Sequence, residues 1–401
     1  MGENDMGIRI SDKCRGISPS ATLRLNALVG EMRAQGRDVI SMAAGEPDMD
    51  TPERVKAAAV KALNEGKTKY TATAGILPLR QAIAQGLKDR YKLDYVPDEI
   101  MASGGAKQAL LACLTAVLNP GDEVLLPTPC WLSYPELIRM ADGVPVMVET
   151  NAAQGYVPAM DALEKKMSFR TRAILINSPS NPTGAVYDRE QLVLIAAFAQ
   201  EHDLVIISDE IYEDFVYGGA SHIPIASLSR DARSRTVIIN GFSKAYAMTG
   251  WRLGFAAGPK DVVAAMDAYQ GHAAGNPNTL AQYAGLAALD DSQAARDIVA
   301  AFATRRESML KALETVQGAT FYPPQGAFYV LMDISGLIGK SYRGNVISDD
   351  TAFAELLLEH AGVSVVPGEP FFAPGTCRLS YAVSEERIEE AIRRLGAFMS
   401  K

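Results

Sequence analysis

A large α/β domain on a doubly wound, mostly parallel sheet, followed by a smaller α+β domain, is the fold class this sequence predicts. Between residues 101 and 258, apolar runs of strand length alternate with segments of helical length. The runs are continuously apolar rather than alternating, as strands covered on both faces are. After residue 291 the texture changes: a long helical stretch, a Pro323-Pro324 break, then short strands interleaved with helices.

In chain order, the first ~17 residues lack periodicity and are expected to form a mobile arm. Leu25, Leu28, Val29 and Met32 recur at helical spacing, which predicts a helix over 22–35. Thr51-Pro52-Glu53 reads as a helix start, with a capping hydroxyl and proline at the first helical position. The apolar stretch 109–118 is too short to span a bilayer and reads as a core helix. Strands are expected at 123–126, 145–149, 173–177, 205–208, 237–240 and 253–257. Asp188-Arg189-Glu190-Gln191 has the pattern of a capping box opening a helix that runs to residue 200. In the C-terminal part, strands are expected at 328–332, 363–366 and 378–382, and helices at 351–360 and 385–398. Binding sites of doubly wound sheets lie beyond the carboxyl ends of strands. Asn181, Asp209 and Lys244 all follow predicted strands there.

The chain has 401 residues, enough for more than one domain. A net charge of −8 without any basic run argues against a nucleic-acid partner. The four cysteines are widely spaced and form no C-x-x-C pair, so zinc and redox motifs are not expected and a reducing cytoplasm is. The four histidines are scattered, and no metal site is expected. The polar, acidic start predicts neither a signal peptide nor a membrane anchor.

The stretch Asn240-Gly241-Phe242-Ser243-Lys244-Ala245-Tyr246-Ala247-Met248-Thr249-Gly250-Trp251-Arg252-Leu253-Gly254 lies between two apolar runs. An amine in such company is costly to keep charged, which is what a Schiff-base lysine needs. Ser243 and Arg252 offer a hydroxyl and a fork of donors suited to a phosphate. Ser103-Gly104-Gly105-Ala106-Lys107-Gln108 is a glycine-rich turn before a predicted helix, and helix N-termini bind phosphate well.

S-K-x-x-x-M-x-G-W-R-x-G resembles the cofactor-lysine signature of class I, fold-type I aminotransferases that use pyridoxal 5'-phosphate (PLP). Gly45-Glu46-Pro47-Asp48, Lys69-Tyr70, Asn177-Ser178-Pro179 through Gly184, Ser208-Asp209-Glu210-Ile211-Tyr212 and Arg378-Leu379-Ser380-Tyr381 follow in the family's order. Asp50-Thr51-Pro52 after the first of these resembles subgroup I-gamma, the branch of the bacterial aspartate aminotransferases. The resemblance implies that Lys244 holds the cofactor and shuttles protons. It implies that Asp209 faces the pyridine nitrogen, that Tyr212 and Asn181 donate to the ring oxygen, and that Trp131 stacks on the ring. Gly105, Ala106, Lys107, Ser243 and Arg252 would hold the phosphate. Tyr70 would reach the neighbouring subunit's phosphate, so a homodimer with shared sites is implied. Arg378, with Asn181 and Gly45, would hold the substrate's α-carboxylate. The implied division is an arm and segment at 1–48 packing with the small domain, a PLP-binding domain at 49–290, and a small domain at 291–401.

Lys107, Ser20 and Thr22 match the positions thought to read a side-chain carboxylate in that branch. Ala106 stands where the branch often has glycine. The expected activity is ping-pong transfer of an amino group, with aspartate as donor and 2-oxoglutarate as acceptor. Prephenate or aromatic transamination remains open, as does a carbon–sulfur β-lyase of the same fold. The absence of a strand–GxGxxG–helix unit argues against a nicotinamide enzyme.

Overall fold

The computed structural model describes residues 8–19, 21–318 and 320–400. Its main sheet is built from β2 (Ile100–Ser103), β3 (Glu123–Thr128), β4 (Val144–Glu149), β5 (Thr171–Asn177), β6 (Val205–Asp209), β7 (Thr236–Gly241) and β8 (Gly254–Ala257). The strand order is β2-β8-β7-β6-β5-β3-β4. Every pairing among β3 to β7 is parallel, whereas β8 runs antiparallel to both β2 and β7. β2 therefore points the same way as β7, and the loops after β2, β3, β5, β6 and β7 all leave from one edge. β8 runs the other way and begins at that edge. The central strands are buried on both faces, as their continuous apolar runs require: Ile206, Ile207, Val237, Ile238 and Ile239 are all inaccessible, whereas the edge strand β4 is partly exposed.

Several expectations are met residue by residue. The expected core helix is Ala106–Val117, and the expected N-terminal helix is Ala21–Ala34. The capping box at Asp188 forms: Asp188 Oδ1 accepts from the Gln191 N–H and Gln191 Oε1 accepts from the Asp188 N–H. Such a cap is worth about 1 kcal/mol. Of the expected arm, the described part holds one exposed turn, Asp12–Arg15, capped by Ser11.

The helix start at Thr51 needs correction. The helix is Glu53–Asn64, Pro52 occupies the N-cap, and Thr51 does not cap it. The Thr51 hydroxyl donates to the Ala247 carbonyl (2.7 Å) and accepts from Trp251 Nε1 (2.9 Å). A buried hydroxyl takes whichever partner tertiary packing brings near. Here that partner is the turn after β7.

The C-terminal part has a four-stranded antiparallel sheet, β14-β15-β10-β9, in which β9 is Thr320–Phe321, β10 Tyr329–Asp333, β14 Val366–Pro367 and β15 Thr376–Ser380. A short hairpin joins β11 (Ser341–Tyr342) to β12 (Asn345–Val346). The strand expected over 363–366 is two strands in different sheets. β13 (Val363–Ser364) pairs with β1 (Ile40–Ser41), and β14 pairs with β15. The β1–β13 pairing ties the N-terminal segment to the C-terminal part, reinforced by Val29, Met32 and Val39 packing on Leu358. Arg305 holds Asp48 through both carboxylate oxygens, at 2.6 and 3.1 Å. Among the described residues, no helix is long and apolar enough to cross a membrane.

Candidate active site

A cavity of about 340 Å³ opens at the edge from which those loops leave. Lys244 lies three residues past β7 and its side chain points into this cavity. Nζ donates to the Gly45 carbonyl at 2.5 Å and lies 5.8 Å from the Tyr212 ring and 5.9 Å from the Phe328 ring. Burial lowers its proton affinity to about 8. Glu46 and Asp209 act against that shift, and Arg378 and Arg252 add to it.

Asp209 ends β6 and is buried. A buried carboxylate is costly without hydrogen-bonding partners. Its partners are neutral: the Tyr134 hydroxyl donates to Oδ2 (2.7 Å) and the Ile211 N–H to Oδ1 (3.2 Å). Burial pushes its pKa up to about 6, and these two donors hold it from rising further. Asn177 braces the loop after β5, donating to the Asp209 carbonyl and accepting from the Asn181 N–H, both at 2.9 Å.

Arg378, on β15, is buried under two aromatic rings, 4.3 Å from Tyr329 and 4.9 Å from Phe371. One terminal nitrogen donates to Asn181 Oδ1 and the other to the Ala43 carbonyl, each at 2.9 Å. Its Nε has no hydrogen-bond partner among the described residues. All its acceptors among the described residues are neutral, so the site holds a buried cation to which none of their carboxylates is bonded. The Tyr212 and Tyr329 hydroxyls bond each other at 2.9 Å.

The Ala106–Val117 helix starts at the cavity, and Ala106 and Lys107 line it. The Gly105 N–H turns back to the Ser103 carbonyl (2.8 Å), so the exposed donors of this first turn begin at Ala106. Arg252 lies in the left-handed region (φ 54°), with one guanidinium nitrogen on the Thr249 carbonyl at 2.9 Å. Gly105 takes a positive φ (96°), which favours glycine, and a Cβ there would also sit 2.6 Å from that guanidinium and push it aside. Ser243 also lines the cavity. Together these donors could hold a phosphate. Lys107 Nζ lies 4.7 Å over the Trp131 ring, and burial together with Arg252 lowers its proton affinity.

Of the residues expected in the site, Thr22, Gly45, Ala106, Lys107, Trp131, Asn181, Asp209, Tyr212, Ser243, Lys244, Arg252 and Arg378 line this one cavity. Gly105, expected among the phosphate donors, does not line the cavity, and its N–H is engaged by the Ser103 carbonyl. Tyr70 does not join them and is 95% exposed in the single chain. Ser20 lies outside the described residues. Tyr134 and Tyr329 were not anticipated, and Glu46, Asn177 and Thr249 were read only as parts of motifs. Tyr134, three residues after Trp131, offered a faint signal.

A larger cavity, about 810 Å³, lies between the Leu77–Tyr91 helix and the start of the Ser292–Glu314 helix. Its Arg90 already pairs with Glu213 and Asp214, and it contains neither Lys244 nor Asp209. Glu210, Glu213 and His222 bring ligand atoms within 4.8 Å of one another. Arg90 and Tyr91 already engage Glu213, and Ser208 engages Glu210, so the group is an internally bonded ion network.

A buried low-affinity amine, a buried carboxylate and a buried guanidinium at the carboxyl edge of a doubly wound sheet define an enzyme of group transfer on small anionic molecules. Comparison with known proteins makes the class specific. The model of the family described as "Aminotransferase class I and II" matches residues 37–395, and the chain belongs to that family. It is 43% identical over 391 residues to an aspartate aminotransferase of Bacillus sp. (strain YM-2), covering 97% of this chain and 99% of that one. It is 44% identical over 396 residues to an aspartate/prephenate aminotransferase of Thermus thermophilus, covering 98% and 99%. Among solved structures, the Thermus thermophilus aspartate aminotransferase with maleate superimposes with a TM-score of 0.91 at 44% identity, covering 98% of this chain and 100% of that one. The aspartate aminotransferase of Rhizobium meliloti does so with a TM-score of 0.94 at 38% identity, covering 98% and 99%. The chain is an aminotransferase.

Proposed function

We propose that this enzyme moves the α-amino group of aspartate to 2-oxoglutarate, with PLP bound in the 340 Å³ cavity. The observation that carries the substrate class is Arg378: a buried guanidinium whose partners among the described residues are all neutral, and whose Nε has none there, fits an incoming carboxylate. Asn181 and Gly45 stand beside it. Lys107 is the further cation available to a second carboxylate. Relatives named for aspartate, and a solved relative holding the dicarboxylate maleate, support the dicarboxylic reading.

The residues present fit PLP. Lys244 supplies an amine whose proton affinity, about 8, keeps part of it neutral near physiological pH. Asp209 supplies a buried carboxylate to a ring nitrogen. Ser243, Arg252 and the first turn of the Ala106–Val117 helix supply phosphate donors, Tyr212 and Asn181 polar contacts, and Trp131 a flat face. When bound, the cofactor supplies the electron sink for breaking bonds at the substrate's α-carbon. Lys244 holds and returns the proton at Nζ, Arg378 fixes the substrate's orientation, and the aromatic walls keep water out.

The reading extends to a homodimer in which Tyr70 completes the neighbour's site. It extends also to the division at residues 48 and 290, and to a reducing cytoplasm, in keeping with four free cysteines. Prephenate is the second reading, because several relatives are named for both substrates.

The test is a panel of amino donors and 2-oxo acceptors with purified protein. Oxaloacetate and glutamate should form from aspartate and 2-oxoglutarate. Pyruvate and ammonia released from a cysteine-type donor without any 2-oxo acid would overturn the proposal in favour of a β-lyase.

A further inference from the structure

The segment that crosses from β1 to the Glu53–Asn64 helix touches the reactive amine at one residue and the turn beyond it at the next. The Gly45 carbonyl accepts from Lys244 Nζ at 2.5 Å, and the next residue, Glu46, accepts from the Thr249 hydroxyl at 2.7 Å. Thr249 in turn accepts, on its carbonyl, from Arg252 (2.9 Å). Glu46, Thr249, Lys244 and Arg252 line the same cavity. One chain of bonds thus joins the amine, the Gly45-Glu46 strap and the arginine at the phosphate end of the site.

We infer that Glu46 is a positioning residue. Through Thr249 it latches the strap to the turn that carries Arg252, and it presents a carboxylate to the cavity from the residue next to the carbonyl that Lys244 bonds, so that it favours the ammonium form.

The charged groups facing Lys244 come from several elements. Arg252 lies on its own turn, Arg378 on β15, Asp209 at the end of β6, and Glu46 on the strap. The Tyr212 and Phe328 rings complete the surround. Two cations disfavour the ammonium and two anions favour it. Asp209 is the anion that a bound ring nitrogen would engage, so Glu46 is the remaining counterweight to the two guanidinium groups. A site without it would hold more of Lys244 as neutral amine, which loads more readily but keeps a transferred proton less well. Thr249 keeps this carboxylate in place, because a glutamate at an exposed cavity mouth otherwise samples many rotamers.

This inference rests on the PLP reading of the site, but its test reads the amine directly. The full-length chain, freed of cofactor, is pulsed with acetic anhydride across pH 6 to 11. Acetylation of Lys244 is then quantified on its peptide by mass spectrometry. Glu46→Gln keeps an acceptor for Thr249 and removes the charge. It should move the midpoint of Lys244 acetylation down by about half a pH unit or more, an effect that shrinks in high salt. Glu46→Asp, which keeps the charge, should leave the midpoint close to the parent's. Thr249→Val, which keeps the charge but frees it, should fall between. An unchanged midpoint in Glu46→Gln, in a variant whose thermal melt matches the parent, overturns the inference. The PLP reading fails separately, if borohydride fixes no cofactor adduct on Lys244 in the parent chain.

Discussion

At the scale of single residues, the site holds charges the fold would be more stable without. In the folded chain Asp209 ionises near pH 6, pushed up by burial, whereas an unfolded aspartate ionises near 3.9. Between those values the folded state binds the extra proton, so stability falls as pH rises through that window, and the full cost is present above it. Asp209→Asn in the cofactor-free chain should therefore gain on the order of 2–3 kcal/mol at pH 8 and roughly half of that at pH 5. Urea melts at the two pH values check this. A gain independent of pH would show that charge burial is not its cause. The same variant should lose transamination by orders of magnitude. In the proposed function, Lys107 and Arg378 divide the substrate between them. Lys107→Ala should cost about 10²-fold in kcat/KM with aspartate or glutamate and little with alanine or phenylalanine. Arg378→Ala should harm all donors together. Steady-state kinetics over the four donors decide, and an equal loss across donors for Lys107→Ala would refute its role with the distal carboxylate.

At the scale of elements, β8 brings the arginine turn against the helix that starts after β2. Gly254 is the contact point. A Cβ there would lie 2.4 Å from the Ala106 nitrogen and 2.6 Å from the Gly105 carbonyl carbon. Both are backbone atoms, so neither can swing away. Gly254→Ala should destabilise by about 1–3 kcal/mol and weaken PLP binding at least ~10-fold by displacing the first helical turn. Gly250 is the control: nothing lies within 4 Å of a Cβ there, so Gly250→Ala should change little. Calorimetric titration with PLP and urea melts test the pair, and tight PLP binding by Gly254→Ala would remove the turn from the site. Strands and helices of this region were legible because their signals are local. The apolar runs marked β3 to β8, and the Asp188 box marked its helix. The split of 363–366 was not legible, since a four-residue apolar run carries no sign that its two halves pair with different strands.

At the scale of the whole molecule, Tyr70 stands apart. It belongs to the motif set, yet it is 95% exposed and outside the cavity of its own chain. A second chain resolves this if Tyr70 serves the partner's site. Mixing Tyr70→Phe with Lys244→Ala should then form hybrid dimers with one intact site and one lacking both residues. Activity above either parent is expected, and a demonstrated hybrid without recovery counts against sharing. Size-exclusion chromatography with light scattering supplies the mass.

The sequence by itself determined the alternation of strands and helices, the edge at which a site must lie, and the lysine, carboxylate and arginines that converge there. Those features rest on local periodicity and on motifs only a few residues long. The tertiary structure alone decided how the charges are balanced. Tyr134 lies 75 positions from the carboxylate it bonds, and the Gly45 carbonyl 199 positions from the amine it accepts from. Thr51 carries a capping pattern, yet its hydroxyl bonds the Lys244 turn. Local spacing specifies which groups a strand presents at its end. Only chain packing specifies which distant groups meet them, and in a low-dielectric cavity those meetings set each group's proton affinity.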